Sequence, residues 1–288
     1  MEVKDSLADR IITQLVPTNC ILRDFLRSKY SGRRIHFLRE GGKIFLNAKE
    51  VTVRAKAKAG DKLTLIFTEQ ESFNYAPKDM GLKAVYEDED LLVVFKPKGV
   101  ACMPVTPHFN ANLLNGLAFL RPNVVFRVVT RLDVNTSGLV LVAKNALSHS
   151  ILYDKVREMQ KTYVALAEGE VTAPQTIDMS IFSDGGRKRL VDERGKRAIT
   201  QILSSQKMGE NSLLKINLLT GRTHQIRVHL SHVGHPLVGD DLYGSKTSGG
   251  QILVCESLSF VHPITEKAVE VHIDALQEVQ KRLNDITG

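Results

Sequence analysis

Asp133 is the carboxylate of this 288-residue chain whose surroundings best suit covalent chemistry. It stands in RLDVNTSG (131–138), between the apolar runs VVFRVV (124–129) and LVLVA (139–143). A loop that interrupts two strand-like runs with an arginine, an acid and a closing glycine either punctuates the chain or presents the acid to a substrate. An ionised carboxylate can add to an electrophilic carbon and later leave again. Arg131, two residues earlier, could pair with Asp133 and hold it ionised. Thr136, Ser137 and Gly138 could fix the turn. Asp133 and Asn135 could equally bond their own backbone as turn formers, so these residues alone name no reaction.

A second cluster invites a metal. His224, His229, His232 and His235 fall within twelve residues, close to Asp240 and Asp241, and His229 and His232 could share a helical face. The spacing matches no HExxH-type pattern and no cysteine joins it, so we expect no metal, with ligand contact or helix capping as the histidines' work. KPKG (96–99) lacks the GxxxxGK[ST] pattern of a phosphate loop, and no nucleotide cofactor is expected.

The elements that must position these residues read as α+β. AVYEDEDLLVVFKPKG (84–99) offers two strands that stop at Pro97 and Gly99. NLLNGLAFL (112–120) reads as a helix. NALSHSILYDKVREM (145–159) reads as another, with Asn145 as N-cap. KTYVALAEG (161–169) and SLLKINLLTG (212–221) are strand-like. GRTHQIRVHLSHVGHP (221–236) predicts a helix beginning at Thr223, with Ile226, Leu230 and Val233 as buried stripe and Gly234 as C-cap. Strands outnumber helices without strict βαβ alternation, which implies a mixed or antiparallel sheet flanked by helices.

Charge is concentrated at one end. Between residues 23 and 62 twelve Lys and Arg face four acids, a balance of +8 in a chain whose net charge is +7. That concentration suggests a polyanion site. Leu22, Phe25 and Leu26 share one helical face. A second short helix carries Ile35 and Leu38 and ends at Gly41-Gly42, where glycine would supply a left-handed cap. KIFLN, a hairpin near Asn47-Ala48, VTV (51–53) and a last strand in AGDKLTLIF follow. Arg23, Arg27, Lys29, Arg33, Arg34 and Arg39 decorate the two helices. A small α/β domain is expected over 1–70, its core at 18–67. ESFNYAPKDMG (71–81) reads as a linker and 82–288 as the larger domain. Cys20, Cys102 and Cys255 are far apart and form no CxxC pair. The first residues show no apolar leader-like run, so a reducing, cytoplasmic setting is expected.

RLDVNTSGLVLVAKN, KTYVALAEG and LLTGRTHQIRVHLSHVGHPLVGDDLYG, in that order, resemble the RluA-type family of RNA pseudouridine synthases. DEDLLVVFKPKG upstream and LSFVHPITEK downstream fit as well, so the resemblance spans about 82–275. LRDFLRSKYSGRRIHFLREGGKIFLNAKEV followed by AGD resembles the alpha-L RNA-binding motif of a small-subunit ribosomal protein, which members of that family commonly carry at the N-terminus. The six basic residues would then contact phosphates.

The resemblance implies that Asp133 is the catalytic aspartate of a cofactor-free isomerisation that detaches uracil, turns it and rejoins it to ribose through a ring carbon. Tyr163 matches the active-site tyrosine, able to stack on uracil and to accept the ring proton. Arg227 matches the arginine that pairs with the aspartate. Arg131, Arg222, His224 and Thr136 are expected on the substrate side, holding backbone or helping flip the nucleotide. Thr130 departs from the family's common HRLD, where histidine precedes the arginine, and altered loop packing is the expected effect. Ribosomal RNA is the favoured substrate, transfer RNA the alternative, and a monomer the expected state. Two rival readings remain at this point: a noncatalytic ribosome-assembly factor, for which Asp133→Asn would be silent, and a metal-dependent hydrolase built on the histidines.

Overall fold

The computed structural model describes residues 10–30, 32–68 and 75–287. In the N-terminal module, strands β1 (Arg10–Leu15), β2 (Lys43–Leu46) and β3 (Lys62–Phe67) form an antiparallel sheet with β3 in the middle. A two-residue strand, Lys49–Glu50, pairs with β2 through the expected hairpin. Asn47 and Ala48 both take positive φ, 49° and 67°, the twist such a turn needs. No strand forms over 51–53. Helices α1 (Leu22–Lys29) and α2 (Gly32–Glu40) bury Leu22, Leu26, Ile35 and Leu38 against Leu63 and Leu65 of β3. The chain does leave α2 at the two glycines, but Gly42 supplies no left-handed cap. A Cβ there would lie 2.6 Å from the Ile66 carbonyl oxygen, so close approach to β3 selects the glycine.

The larger module is built on an eleven-stranded mixed sheet. Its main strands are β4 (Lys83–Glu87), β5 (Leu91–Lys96), β6 (Ser137–Ala143), β7 (Gln160–Glu168), β8 (Gln175–Phe182), β9 (Lys196–Met208), β10 (Asn211–Leu218), β11 (Leu253–Val261) and β12 (Ala268–His272). They run in the order β8-β9-β10-β7-β11-β6-β5-β4, with β12 beside β11. Every pairing is antiparallel except β6 with β11, where Ser137 meets Val254 and Gly138 meets Cys255. Helices α3 (Leu113–Leu120), α4 (Ala146–Lys155), α5 (Gln225–His232) and α6 (Ala275–Thr287) pack around it.

The apolar runs of β5 and β6 are buried on both faces. Leu91, Val93, Leu139 and Leu141 belong to one core, while Leu92, Val94, Val140 and Val142 pack with Leu113 and Leu117 of α3 on the other side. Continuous rather than alternating hydrophobicity is what a two-sided strand requires. The run at 124–129 gives only a two-residue strand, Arg127–Val128. Among the described residues no helix is long and apolar enough to cross a membrane.

The modules touch directly. Leu147 and Ile151 of α4 complete the N-terminal core. Arg10 Nε lies 2.9 Å from Asp90 Oδ1, and that carboxylate also accepts from Asn145 Nδ2 (3.0 Å) and Ser148 Oγ (3.2 Å). Asn145 caps α4 as expected, its side chain accepting from the Ser148 amide. Within the expected linker, Ala76 accepts from Asn115 Nδ2 (3.0 Å), and Met80 packs over Gly116 of α3.

Candidate active site

The Asp133 loop leaves the strand Arg127–Val128 and enters β6 at Ser137. Its end is set by Gly138, at φ 114°, where a Cβ would lie 2.4 Å from the Cys255 carbonyl oxygen. Only glycine allows β6 to begin this close to β11. Each residue after the acid is held from elsewhere. The Val134 carbonyl accepts from the Gly99 amide (2.8 Å) and from Lys96 Nζ (3.1 Å). Lys96 is fully buried and also donates to the carbonyls of Pro97 and Val100. Burial pushes its ammonium down to about 8. KPKG is therefore a brace for the loop. Thr136 is buried, and its Oγ1 accepts from Gln251 Nε2 (3.1 Å). It fixes the turn and offers no face to a substrate, a correction to the substrate-side role expected of it. Thr130, in place of the common histidine, donates no contact to the site: its Oγ1 accepts from the Leu141 amide (2.9 Å), inside the sheet.

Asp133 keeps a quarter of its side chain exposed, and Arg227 Nη1 donates to its Oδ2 at 3.1 Å. The ion pair expected from Arg131 is not formed; Arg131 is exposed, and the long-range partner Arg227 takes its place. Arg227 itself is buried and gripped from behind by Asp240, with Nε to Oδ2 at 2.7 Å and Nη2 to Oδ1 at 2.8 Å. Asp240 is only 1% exposed. Burial works against the guanidinium's charge, but the bonds and charge of Asp240, then Asp133, outweigh it and raise its value. The Tyr243 ring lies 4.9 Å from the guanidinium carbon. A buried cation thus shared keeps one nitrogen for the exposed acid.

His224 comes next to the pair. It takes the left-handed conformation (φ 58°, ψ 17°), so α5 starts at Gln225 and not at Thr223. Its Nε2 is 3.8 Å from Asp133 Oδ2, and its Nδ1 is 2.9 Å from Tyr243 Oη. Burial, then Arg227 and Arg189, lower its pKa against the pull of Asp133. Gln225 holds this turn: its Oε1 accepts from Thr220 Oγ1 and the Arg222 amide, and its Nε2 donates to Ile199 and Thr200. Arg222 is half-buried and donates to the Arg197 carbonyl (3.2 Å). Tyr163 lies on β7, beside Cys255 of β11, at a register shift in that pairing. It is 6% exposed; burial and then the Cys255 thiol hold its phenol well above its usual value.

The remaining histidines do not converge. His229, fully buried, bonds to Thr200 Oγ1 and the Met179 carbonyl, and His235 bonds to the Glu168 carbonyl. These are core contacts, and the expected capping or ligand-contact role does not apply to His229. Among the described residues the one group with ligand-like spacing is Asp88, Asp90 and His262, whose carboxylates already accept from Tyr86, Asn145 and Ser148 and pair with the charge of Arg10. Of the six basic residues of the N-terminal helices, Arg23, Arg27, Lys29 and Arg39 are exposed. The side chains of Arg33 and Arg34 lie outside the described residues. Sequence reading missed the grip of Asp240 on Arg227 and the roles of Tyr243 and Gln251, although the first two stand inside the quoted LVGDDLYG.

Comparison with known proteins identifies the family. The family described as RNA pseudouridylate synthase matches residues 90–232. The RNA pseudouridine synthase YjbO of Bacillus subtilis is 35% identical over 84% of this chain and 89% of its own length. The ribosomal large subunit pseudouridine synthase D of Vibrio vulnificus is 32% identical over 94% of this chain and 89% of its own. Among solved structures, human RNA pseudouridylate synthase domain containing 1 superposes with a TM-score of 0.58 and 28% identity, covering 71% of this chain and 86% of that one. The chain belongs to the RNA pseudouridine synthases, the RluA-type family that its motifs resemble.

Proposed function

We propose that this enzyme isomerises a uridine of large-subunit ribosomal RNA, with Asp133 as the nucleophile and the basic N-terminal helices as the docking surface, acting as a single chain. The observation that carries the chemistry is the arrangement Asp133–Arg227–Asp240. The arginine is anchored by the buried acid, and its remaining nitrogen holds a partly exposed carboxylate in place for attack. Adding to either the sugar carbon or the base, Asp133 forms a bond that the later steps release. The ribose–nitrogen bond breaks, the ribose–carbon bond forms, the ring carbon gives up its proton, and the freed ring nitrogen takes one up. Composition is unchanged, so no cofactor is required. Tyr163 offers a ring on which the uracil can stack. Arg131, exposed at the mouth of the loop, and Arg222 serve the RNA backbone and nucleotide flipping. The ribosomal preference rests on the name carried by the Vibrio relative, which aligns along nearly the whole chain, N-terminal module included.

The test is tritium release from RNA labelled at the uracil carbon that becomes bonded to ribose, taken from cells lacking this gene and separated into ribosomal and transfer fractions. Release from large-subunit RNA by the native enzyme, and none by Asp133→Asn, is the expected result. Release from transfer RNA alone would move the substrate. Equal release by both proteins would remove Asp133 from the chemistry.

A further inference from the structure

Arg282 of α6 is fully buried, yet among the described residues its hydrogen bonds reach no carboxylate. Its Nη1 donates to the Asn135 carbonyl (3.3 Å). Its Nη2 donates to the Gly250 carbonyl (2.8 Å) and lies at longer range from those of Gly249 and Gln251 (3.5 and 3.4 Å). Its Nε finds no partner there. Glu278 and Asp285 of the same helix offset part of the cost of burying this cation, yet a guanidinium whose hydrogen bonds all end on main-chain oxygens remains costly, and a long apolar side chain would fill the same space without that cost. What it holds is therefore informative. Asn135 stands two residues after Asp133. Gly250, at φ 84°, lies so close to it that a Cβ would sit 2.8 Å from Asn135 Cγ. The next residue, Gln251, bonds Thr136. One cation thus clamps the Asp133 loop and the 249–251 segment together, 115 residues apart in sequence.

We propose that Arg282 is a positioning residue for the isomerisation: through Asn135 and the 249–251 segment it fixes where the Asp133 carboxylate stands relative to the ribose. The inference rests on Asp133 being the nucleophile. It assigns a role in turnover to the C-terminal helix, which contributes no group to the reacting atoms. A carboxylate displaced by about 1 Å loses on the order of 100-fold in rate. The loss belongs in kcat, because the RNA-docking surfaces are elsewhere.

Steady-state kinetics on the RNA substrate, at a temperature where each variant is folded by circular dichroism, tests this. Arg282→Met is expected to lower kcat by about 100-fold with KM within about twofold. Arg282→Lys, which keeps a donor for the Gly250 carbonyl but not the second arm to Asn135, is expected to recover only in part, to about three- to tenfold below the native rate. Val279→Ala, on the same helix but buried in apolar packing, controls for stability and is expected to lower Tm with kcat nearly unchanged. The proposal is overturned by native kcat in a folded Arg282→Met. It is also overturned by Val279→Ala losing as much kcat as Arg282→Met, or by a loss confined to KM. Should Arg282→Met not fold, Arg282→Lys decides alone: a kcat equal to native, or a fall seen only in KM, overturns the proposal. Activity surviving in Asp133→Asn would instead remove the nucleophile on which the inference rests, a result separate from any of these.

Discussion

At the scale of single residues, the site is an economy of one exposed acid and several buried partners. His224 is the residue whose state pH can change within the working range. Burial lowers its pKa from 6.5, so the unfolded chain takes up the proton more readily than the folded one. The stability that neutral His224 contributes is therefore complete above pH 6.5 and is lost as pH falls through the folded value. Urea unfolding at about pH 7.5 and about pH 5.5 should show the native protein losing more stability on acidification than His224→Gln does. Equal losses would mean that folding leaves the His224 pKa where it is in the unfolded chain. Sequence made Asp133, Tyr163 and Arg227 legible because each sits in a short ordered motif. Proximity along the chain made Arg131 one candidate ion-pair partner, while the family resemblance pointed to Arg227. Arg227, 94 residues away, takes that place, since an arginine on a buried helix with Asp240 behind it is held where Arg131 is free in solvent.

At the scale of elements, periodicity was enough where one face is buried. α1, α3 and α4 appear where apolar spacing and caps place them, and the hairpin turns where Asn47-Ala48 predicts. It failed where a tertiary contact decides. α5 begins two residues late because His224 adopts a left-handed backbone beside Asp133, and the Gln225 side chain, bonded to four groups, stabilises that turn. α6 went unread although Val279 and Leu283 lie four apart and Asp274 accepts from the Leu276 amide at its start. The parallel contact between β6 and β11 has no local sign except Gly138. Gly138→Ala would bring a Cβ into the Cys255 backbone at an unfavourable φ. We expect it to destabilise the protein by about 2–5 kcal/mol in urea unfolding. A cost below about 1 kcal/mol would show that the two strands can separate freely.

At the scale of the molecule, the two modules share a core. Removing residues 1–70 would strip Leu147 and Ile151 of their cover and leave Asp90 without Arg10, so truncation is a poor probe of RNA docking. Substituting exposed side chains is the better one. Arg23→Gln, Arg27→Gln and Arg39→Gln together should weaken RNA binding at low salt and flatten log K against log salt by roughly 2 units, at about 0.7–0.9 per lost phosphate contact. An unchanged slope, with the fold intact, would place the RNA elsewhere. The modules' charge was plain in the sequence; their contact was not, because Leu147 and Ile151 also read as an ordinary helix stripe.

The shared core has a consequence for choice of target. With α4 wedged into the N-terminal core and Arg10 locked on Asp90, the basic helices and the Asp133 loop behave as the two jaws of a caliper set to one opening. If the basic helices dock RNA as proposed, an RNA qualifies by the span between its docking face and its uridine, and the uridine's neighbours in sequence matter less than the fold that sets that span.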